Sequence, residues 1–198
     1  MRTASPASRA LVLRGDEDGD GHPFLVLLTV APGGAVVGEH IHPHIKERFH
    51  VLSGPIAVKL DGSERTLTAG EEATAEPGHA HDWWNIGQQP ARVLLEISPP
   101  NPRFVTMIQT LWGLANDGKT NAKGMPNPLQ LSLIGREFDD IIRFTKPPRP
   151  IQRTVTALLA PIARARGYAP IYPEYCAPHD HTDPDPSIVA HAGLLTGS

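Results

Sequence analysis

Short apolar runs separated by turn signals fill residues 31–98, and no other feature limits the possible folds of this chain as strongly. The runs at 56–60 and 92–98 are rich in Val, Ile and Leu, and Gly- and Pro-containing clusters such as Pro77-Gly78 interrupt the chain between such runs. No helical period connects them. This punctuation predicts an antiparallel sandwich or barrel, to which residues 10–14 and 24–30 add two strands.

The pattern changes after Pro99-Pro100, where apolar residues begin to repeat at helical spacing. Three segments follow, and each predicts an amphipathic helix: 104–115, 131–142 and 151–162. Asn127-Pro128 is a favourable helix start, and Pro161 is expected to kink or end the third helix. The helices could pack on the barrel wall, cover its mouth or clasp a second subunit, and the sequence leaves these arrangements open.

Four residues of metal-binding type lie within the predicted barrel. If the chain is extended through 39–42, alternate residues face the same way, so His40 and His42 point together. Glu47 then comes from the next strand, and His81 follows further along the chain. Three imidazoles and one carboxylate suit a borderline divalent metal ion.

These residues fall into a two-part pattern that resembles the cupin family. The first motif of that family is Gly, five residues, His-x-His, three or four residues, Glu, six residues and Gly, and it is filled here by Gly34, His40, His42, Glu47 and Gly54. The second motif is filled by Gly70, Gly78, His81 and Asn85. Its proline is displaced, because Pro77 stands directly before Gly78 and Glu76 occupies the usual place. We interpret the displacement as a local turn variant that does not affect the ligand.

The resemblance implies a mainly β fold, a cupin-type double-stranded β-helix or jelly-roll barrel, which the helical periodicity extends by about three C-terminal α-helices. We divide the chain into a flexible N-terminus (1–9), the barrel (10–98), a helical extension (99–171) and an extended or disordered tail (172–198). The tail is rich in Pro, Asp and His and has no periodicity.

Counting in twos from the predicted ligands identifies candidate wall residues of the cavity, because alternate residues of a strand share a face. Two follow Glu47 and two follow His81. The predicted substrate-binding residues are Phe49, Val51, Trp83 and Asn85. His50 and Trp84 are expected to point away from the metal.

The resemblance to metal-dependent cupins also implies a chemistry. One divalent transition metal (Fe, Mn, Ni, Cu or Zn) would be held by His40, His42, Glu47 and His81, and the expected activity is that of a dioxygenase on a small organic substrate of aromatic or enolic type. Glu47 is the candidate catalytic residue, because it could leave the metal or take a proton. Two alternatives stay open: a Lewis-acid enzyme (isomerase, decarboxylase or polyketide cyclase), and a non-catalytic cupin that binds a metal or small molecule.

Composition excludes several classes of partner. Lys plus Arg total 18 against 21 for Asp plus Glu, a net charge of −3, so no global charge attracts nucleic acid or an anionic membrane. A single cysteine, Cys176, fits a reducing compartment, and we expect a cytoplasmic protein. The expected partners are a small-molecule substrate and, by resemblance, a second copy in a homodimer.

Overall fold

The computed structural model describes residues 9–14, 21–35, 38–121 and 124–176. Most of the predicted N-terminal segment (1–9) and of the predicted tail (172–198) lies outside these residues.

Ten strands within the described ranges form two five-stranded sheets in which every pair of neighbours is antiparallel. In spatial order, the first sheet contains β1 (Arg9–Arg14), β2 (Phe24–Val30), β9 (Ala91–Ser98), β4 (Lys46–Ser53) and β7 (Glu72–Ala75). The second contains β10 (Arg143–Phe144), β3 (His40–Ile41), β8 (His81–Asn85), β5 (Ile56–Leu60) and β6 (Ser63–Leu67). The predicted barrel of short antiparallel strands is therefore confirmed.

Alternate residues of the strands build the core between the sheets. Phe24, Val26 and Leu28 of β2 are at most 1% exposed and share one apolar cluster with alternate residues of the paired strand β9. The period of two places these side chains on the same face, where burial of apolar surface stabilises the sandwich.

Three helices follow the barrel in the part of the chain that the structure describes, as predicted: α1 (Pro102–Asn116), α2 (Pro128–Glu137) and α3 (Arg149–Ala165). Asn127 caps α2, since its side-chain oxygen accepts hydrogen bonds from the backbone N–H groups of Leu129 and Gln130, both at 3.1 Å. Helix α1 packs against the barrel core through residues such as Phe104 and Met107. Helix α3 packs on α2 instead, where Ala160 and Ala163 meet Leu133.

The second helix is shorter than its periodicity predicts. It ends at Glu137, and the backbone N–H groups of Ile141 and Ile142 donate to the carbonyl oxygen of Phe138 at 2.9 and 2.8 Å, which turns the chain back towards the barrel. The apolar residues of this turn are still buried, so tertiary packing rather than a helical face accounts for their spacing. The turn leads into β10, which the sequence did not predict.

Strand β10 joins the helical extension to the barrel. It pairs with β3, placing Phe144 opposite His40. The four-residue strand β7 was also missed. Pro161 does not end α3, which continues to Ala165. Proline lacks the N–H that would bond the carbonyl of Ala157, and Ala157 is exposed, so that carbonyl is open to water.

No helix in the described ranges combines the length and apolarity needed to cross a membrane.

Candidate metal centre

The fold brings the four predicted ligands to one point between the two sheets. His40 lies on β3 directly opposite His81 of β8, His42 follows β3, and Glu47 projects from β4 of the other sheet. Each offers one ligand atom, and these atoms all lie within 4.8 Å of one another. All four residues are buried, with exposed fractions of 1–4%.

Backbone carbonyl groups orient the three imidazoles. The Nδ1–H of His40 donates to Gly38 O at 2.6 Å, that of His42 to Ile141 O at 2.7 Å, and that of His81 to His79 O at 3.1 Å. A carbonyl oxygen can only accept, so each ring carries a proton on Nδ1 and turns Nε2 towards the centre. This outer set of hydrogen bonds is the kind that fixes the tautomer of metal-binding histidines.

The distances around the centre fit a shared cation. His40 Nε2 and His42 Nε2 are 3.2 Å apart, and Glu47 Oε2 lies 2.9 Å from His81 Nε2 and 3.3 Å from His42 Nε2. Two nitrogens bound at about 2.1 Å to one ion lie roughly 3.0–3.4 Å apart for angles between octahedral and tetrahedral. With both Nδ1 atoms protonated, the two facing Nε2 atoms present lone pairs to each other unless a cation or another proton lies between them. The buried group could therefore bind a metal ion.

The neighbouring imidazoles keep the carboxylate of Glu47 ionised in this buried site. Burial by itself would raise the pKa of Glu47, but hydrogen bonds from His42 and His81 outweigh burial and hold that pKa well below its usual range. Burial lowers the pKa of His81, whereas the hydrogen bond and charge of Glu47 raise it, and the balance is a raised pKa. Burial and the neighbouring imidazoles lower the pKa of His40, which favours its neutral, ligating form.

Aromatic rings surround the centre on two sides. The ring of Phe104, from α1, lies 5.4 Å from that of His42, centroid to centroid. Phe49 lies 6.0 Å from His81 and 6.1 Å from Trp83. Phe49, Trp83 and Val51 are at most 2% exposed and belong to the barrel core. The structure thus places Phe49 beside the ligands, while substrate contact by these three residues stays a prediction.

Asn85 is engaged with the backbone. Its Nδ2 donates to Val30 O and Gln89 O, both at 2.8 Å, and its Oδ1 accepts from the backbone N–H of Gly87 at 2.7 Å. The side chain thereby ties the end of β8 to two neighbouring segments. Substrate binding by Asn85 is untested, and the observed contacts are those of a turn-stabilising residue.

The structure adds supporting residues that the sequence analysis did not identify. Gly38, at φ +74°, occupies a left-handed conformation that suits glycine and presents its carbonyl to His40; its position two residues before a ligand was the available signal. The carbonyl of Ile141 is 99 residues from His42 in the chain, and no local pattern could reveal it. His79, whose carbonyl accepts from His81, is held by a hydrogen bond from its Nδ1–H to a carboxylate oxygen of Asp61 at 2.5 Å.

His50 faces away from Glu47, as predicted from strand alternation, yet it is buried. Its ring nitrogens lie 3.3 Å from a carboxylate oxygen of Glu72 and 3.5 Å from one of Glu96.

Comparisons with known proteins agree with this architecture. Residues 26–97 match the family model described as a cupin domain. Tetracenomycin polyketide synthase protein TcmJ of Streptomyces glaucescens is 36% identical over 80 residues, which are 40% of this chain and 53% of that protein. Oxalate oxidase 1 of Hordeum vulgare is 32% identical over 91 residues, 42% of this chain and 45% of that protein. The chain thus spans about half the length of these curated relatives.

A crystal structure of an uncharacterized conserved protein with a double-stranded beta-helix domain from Klebsiella pneumoniae subsp. pneumoniae is also similar. It is 25% identical, with a TM-score of 0.43, and the match covers 51% of this chain and 80% of that one. The family match coincides with the two-sheet barrel that gathers the four ligand-type residues, so the part of the chain identified as a cupin domain is residues 26–97.

Proposed function

We propose that this chain is a metal-dependent cupin enzyme, an oxygenase of the dioxygenase type that acts on a small organic substrate of aromatic or enolic kind. The observation that carries the proposal is the convergence of three imidazole Nε2 atoms and one carboxylate, each ring being oriented by a carbonyl. A redox-active divalent ion (Fe, Mn, Ni or Cu) held by His40, His42, Glu47 and His81 would supply electron transfer and a position for substrate or dioxygen.

In such a reaction both atoms of dioxygen enter the organic product, so no external reductant is required. The residues of the chain have three tasks: the imidazoles present fixed lone pairs, the aromatic wall excludes water, and Glu47 exchanges a proton with the substrate hydroxyl. With Nε2 of His42 and His81 bound to the metal, neither ring would donate to Glu47, and the divalent cation would keep Glu47 in its carboxylate form. A carboxylate that leaves the metal could accept the proton of the substrate hydroxyl, which makes Glu47 the candidate proton acceptor.

The proposed substrate binds along Phe49, Val51, Trp83 and Asn85. The first three are apolar, which suits a flat organic molecule better than a sugar phosphate.

A Lewis-acid reaction is the second candidate, and a polyketide cyclase is its most specific form. Similarity to a protein named as part of a polyketide synthase favours it, and ring closure within one molecule needs no dioxygen. An isomerase or decarboxylase would use the same site in the same way. A non-catalytic metal-binding or small-molecule-binding cupin is the remaining outcome.

Elemental mass spectrometry of the tag-free protein separates these candidates. We expect about one equivalent of iron, manganese, nickel or copper, lost in His40→Ala and retained in His44→Ala, which removes an exposed neighbouring histidine that is not in the group. Oxygen uptake with phenolic and enolic compounds should then depend on the metal. Zinc alone, or turnover without oxygen consumption, would reject the oxygenase and support the Lewis-acid reaction; no metal under any growth condition would reject both.

We also propose a cytoplasmic homodimer. The single cysteine supports a reducing compartment. Ile151, Val155, Leu158 and Ile162 follow one another at helical spacing on α3 and are 45–66% exposed, an apolar stripe that a second copy would cover. Light scattering should give twice the chain mass, and Leu158→Asp should reduce it to one chain. A monomeric wild-type protein would contradict the dimer.

A further inference from the structure

A groove of about 580 Å³ lies outside the barrel, between α2, α3 and β10. Its surface is predominantly apolar and includes Leu131, Ile142, Phe144 and Leu159, while none of the four candidate metal ligands lines it. The volume lies within the range of small-molecule sites. The groove is therefore a second candidate binding site, separate from the metal centre.

The charges around the groove are strongly unbalanced. Five of its lining residues are cationic and one is acidic. The acid, Asp139, is already bound by Arg149, whose two terminal nitrogens donate to its carboxylate at 2.5 and 2.8 Å, and Arg143 Nε lies 3.8 Å from it.

Three lining cations remain after this pairing: Arg136, Lys146 and Arg153. None of the three forms an ion pair with any residue in the described part of the chain. Arg136 and Arg153 are exposed and project from the two facing helices α2 and α3. Such cations over an apolar surface complement a ligand with one anionic end and an apolar body.

We propose that this groove binds a small amphipathic carboxylate, with its apolar body on the floor and its carboxylate held by the unpaired cations of the rim. The proposal is independent of the reaction in the barrel. A neutral molecule of similar length would leave the cations unpaired, and a fully polar anion would leave the apolar floor in water.

Gly135 offers a way to close the groove without disturbing its walls. It lies within α2 and lines the groove, and a Cβ added there would meet no atom within 4 Å. A leucine at this position would extend into the empty space, and leucine is a better helix former than glycine. Gly135→Leu should therefore fold normally and occupy the ligand's volume.

The test is isothermal titration calorimetry of the full chain with sodium dodecanoate below its micelle concentration. We expect one saturable site, at least about tenfold weaker binding in Gly135→Leu, and about tenfold weaker binding in Arg136→Gln/Arg153→Gln from loss of two charge contacts. Arg164→Gln/Arg166→Gln changes the net charge equally on residues that do not line the groove and should bind within twofold of wild type.

Two controls distinguish the groove from the barrel and charge recognition from apolar contact alone. His40→Ala should bind dodecanoate as wild type does, because a carboxylate bound to a metal in the barrel would lose its site in that variant. Dodecyl maltoside, which has the same apolar chain and no charge, should bind at least tenfold more weakly. Absence of saturable binding, equal binding by Gly135→Leu with a normal melting curve, equal binding of the neutral probe, or loss of binding in His40→Ala would each overturn the proposal.

Discussion

Removal of one ligand should separate the stability of the metal-bound protein from that of the metal-free protein. His40 donates Nδ1–H to Gly38 O and faces His42 Nε2 at 3.2 Å, so its ring serves the centre rather than the apolar core. We expect His40→Ala to abolish metal-linked stabilisation while changing the metal-free protein only modestly. The reason is that His40 supplies a lone pair to the bound metal, whereas in the metal-free protein its ring makes one hydrogen bond to Gly38 O and one contact with His42.

The two contributions have different sizes. A metal that binds the folded state alone, at a free concentration one thousand times its Kd, adds about 4 kcal/mol to the free energy of unfolding. For a chain of this length that corresponds to a rise in Tm of roughly 8–16 °C. In the metal-free protein, loss of the buried ring and its hydrogen bond should lower the free energy of unfolding by about 1–2 kcal/mol.

Urea unfolding with metal and with a chelator measures both the metal-linked stabilisation and the stability of the metal-free protein. Wild type should lose the metal-linked increment on chelation, and His40→Ala should show no difference between the two conditions. His44→Ala, on an exposed residue outside the ligand group, should respond to metal as wild type does. An equal metal response in His40→Ala, or no response in wild type, would refute the assignment of these side chains as ligands.

Three further substitutions test packing, hydrogen bonding and charge. Gly113→Ala should lower the free energy of unfolding by about 1–3 kcal/mol, because a Cβ there would lie 2.1 Å from the ring of Tyr175. Gly135→Ala meets open space and should raise it by about 0.5–1 kcal/mol. Denaturation curves of the two variants, measured beside wild type, test both values. Asn85→Ala should lower the free energy of unfolding by about 2–4 kcal/mol, since one buried and two partly buried backbone groups lose their hydrogen bonds; a fully stable variant would contradict its structural role. Asp139→Asn should cost at most about 1 kcal/mol at pH 7, because its carboxyl is 41% exposed and solvent screens its contact with Arg149. The hydrogen bond from Arg149 lowers the pKa of Asp139, so this stability is present above the usual carboxyl pKa and is lost as pH falls through the lowered value. A wild-type advantage that does not shrink as the pH is lowered below the usual carboxyl range would contradict the reasoning.

The grouping of the four candidate ligands and most of the barrel strands were predictable because their determinants are local. In an extended segment His40 and His42 share a face whatever the rest of the chain does, and the turn signals divide 31–98 into strands close to the observed ones. The same alternation correctly placed His50 on the face away from Glu47. These features depend on residues a few positions apart, so periodicity and spacing are enough to predict them.

The helical extension shows where local patterns stop being sufficient. The apolar spacing through Ile142 continued the period of α2, but the helix ends at Glu137 because the following residues are buried against the barrel and not along a helical face. A two-residue strand such as β10 carries no period, and its pairing with β3 depends on contacts about 100 residues apart in the chain.

The sequence by itself determined which four residues could bind a metal and which kind of sheet would carry them. Only the tertiary structure decided how those residues are held: the carbonyl of Ile141 orients His42 across 99 residues, and Phe104 of α1 packs on the same ring. The groove between α2, α3 and β10 likewise exists only once these three consecutive segments have packed together. Backbone acceptors and cavity walls leave no residue-type signature in the chain, because any residue supplies a carbonyl and any apolar side chain supplies a wall.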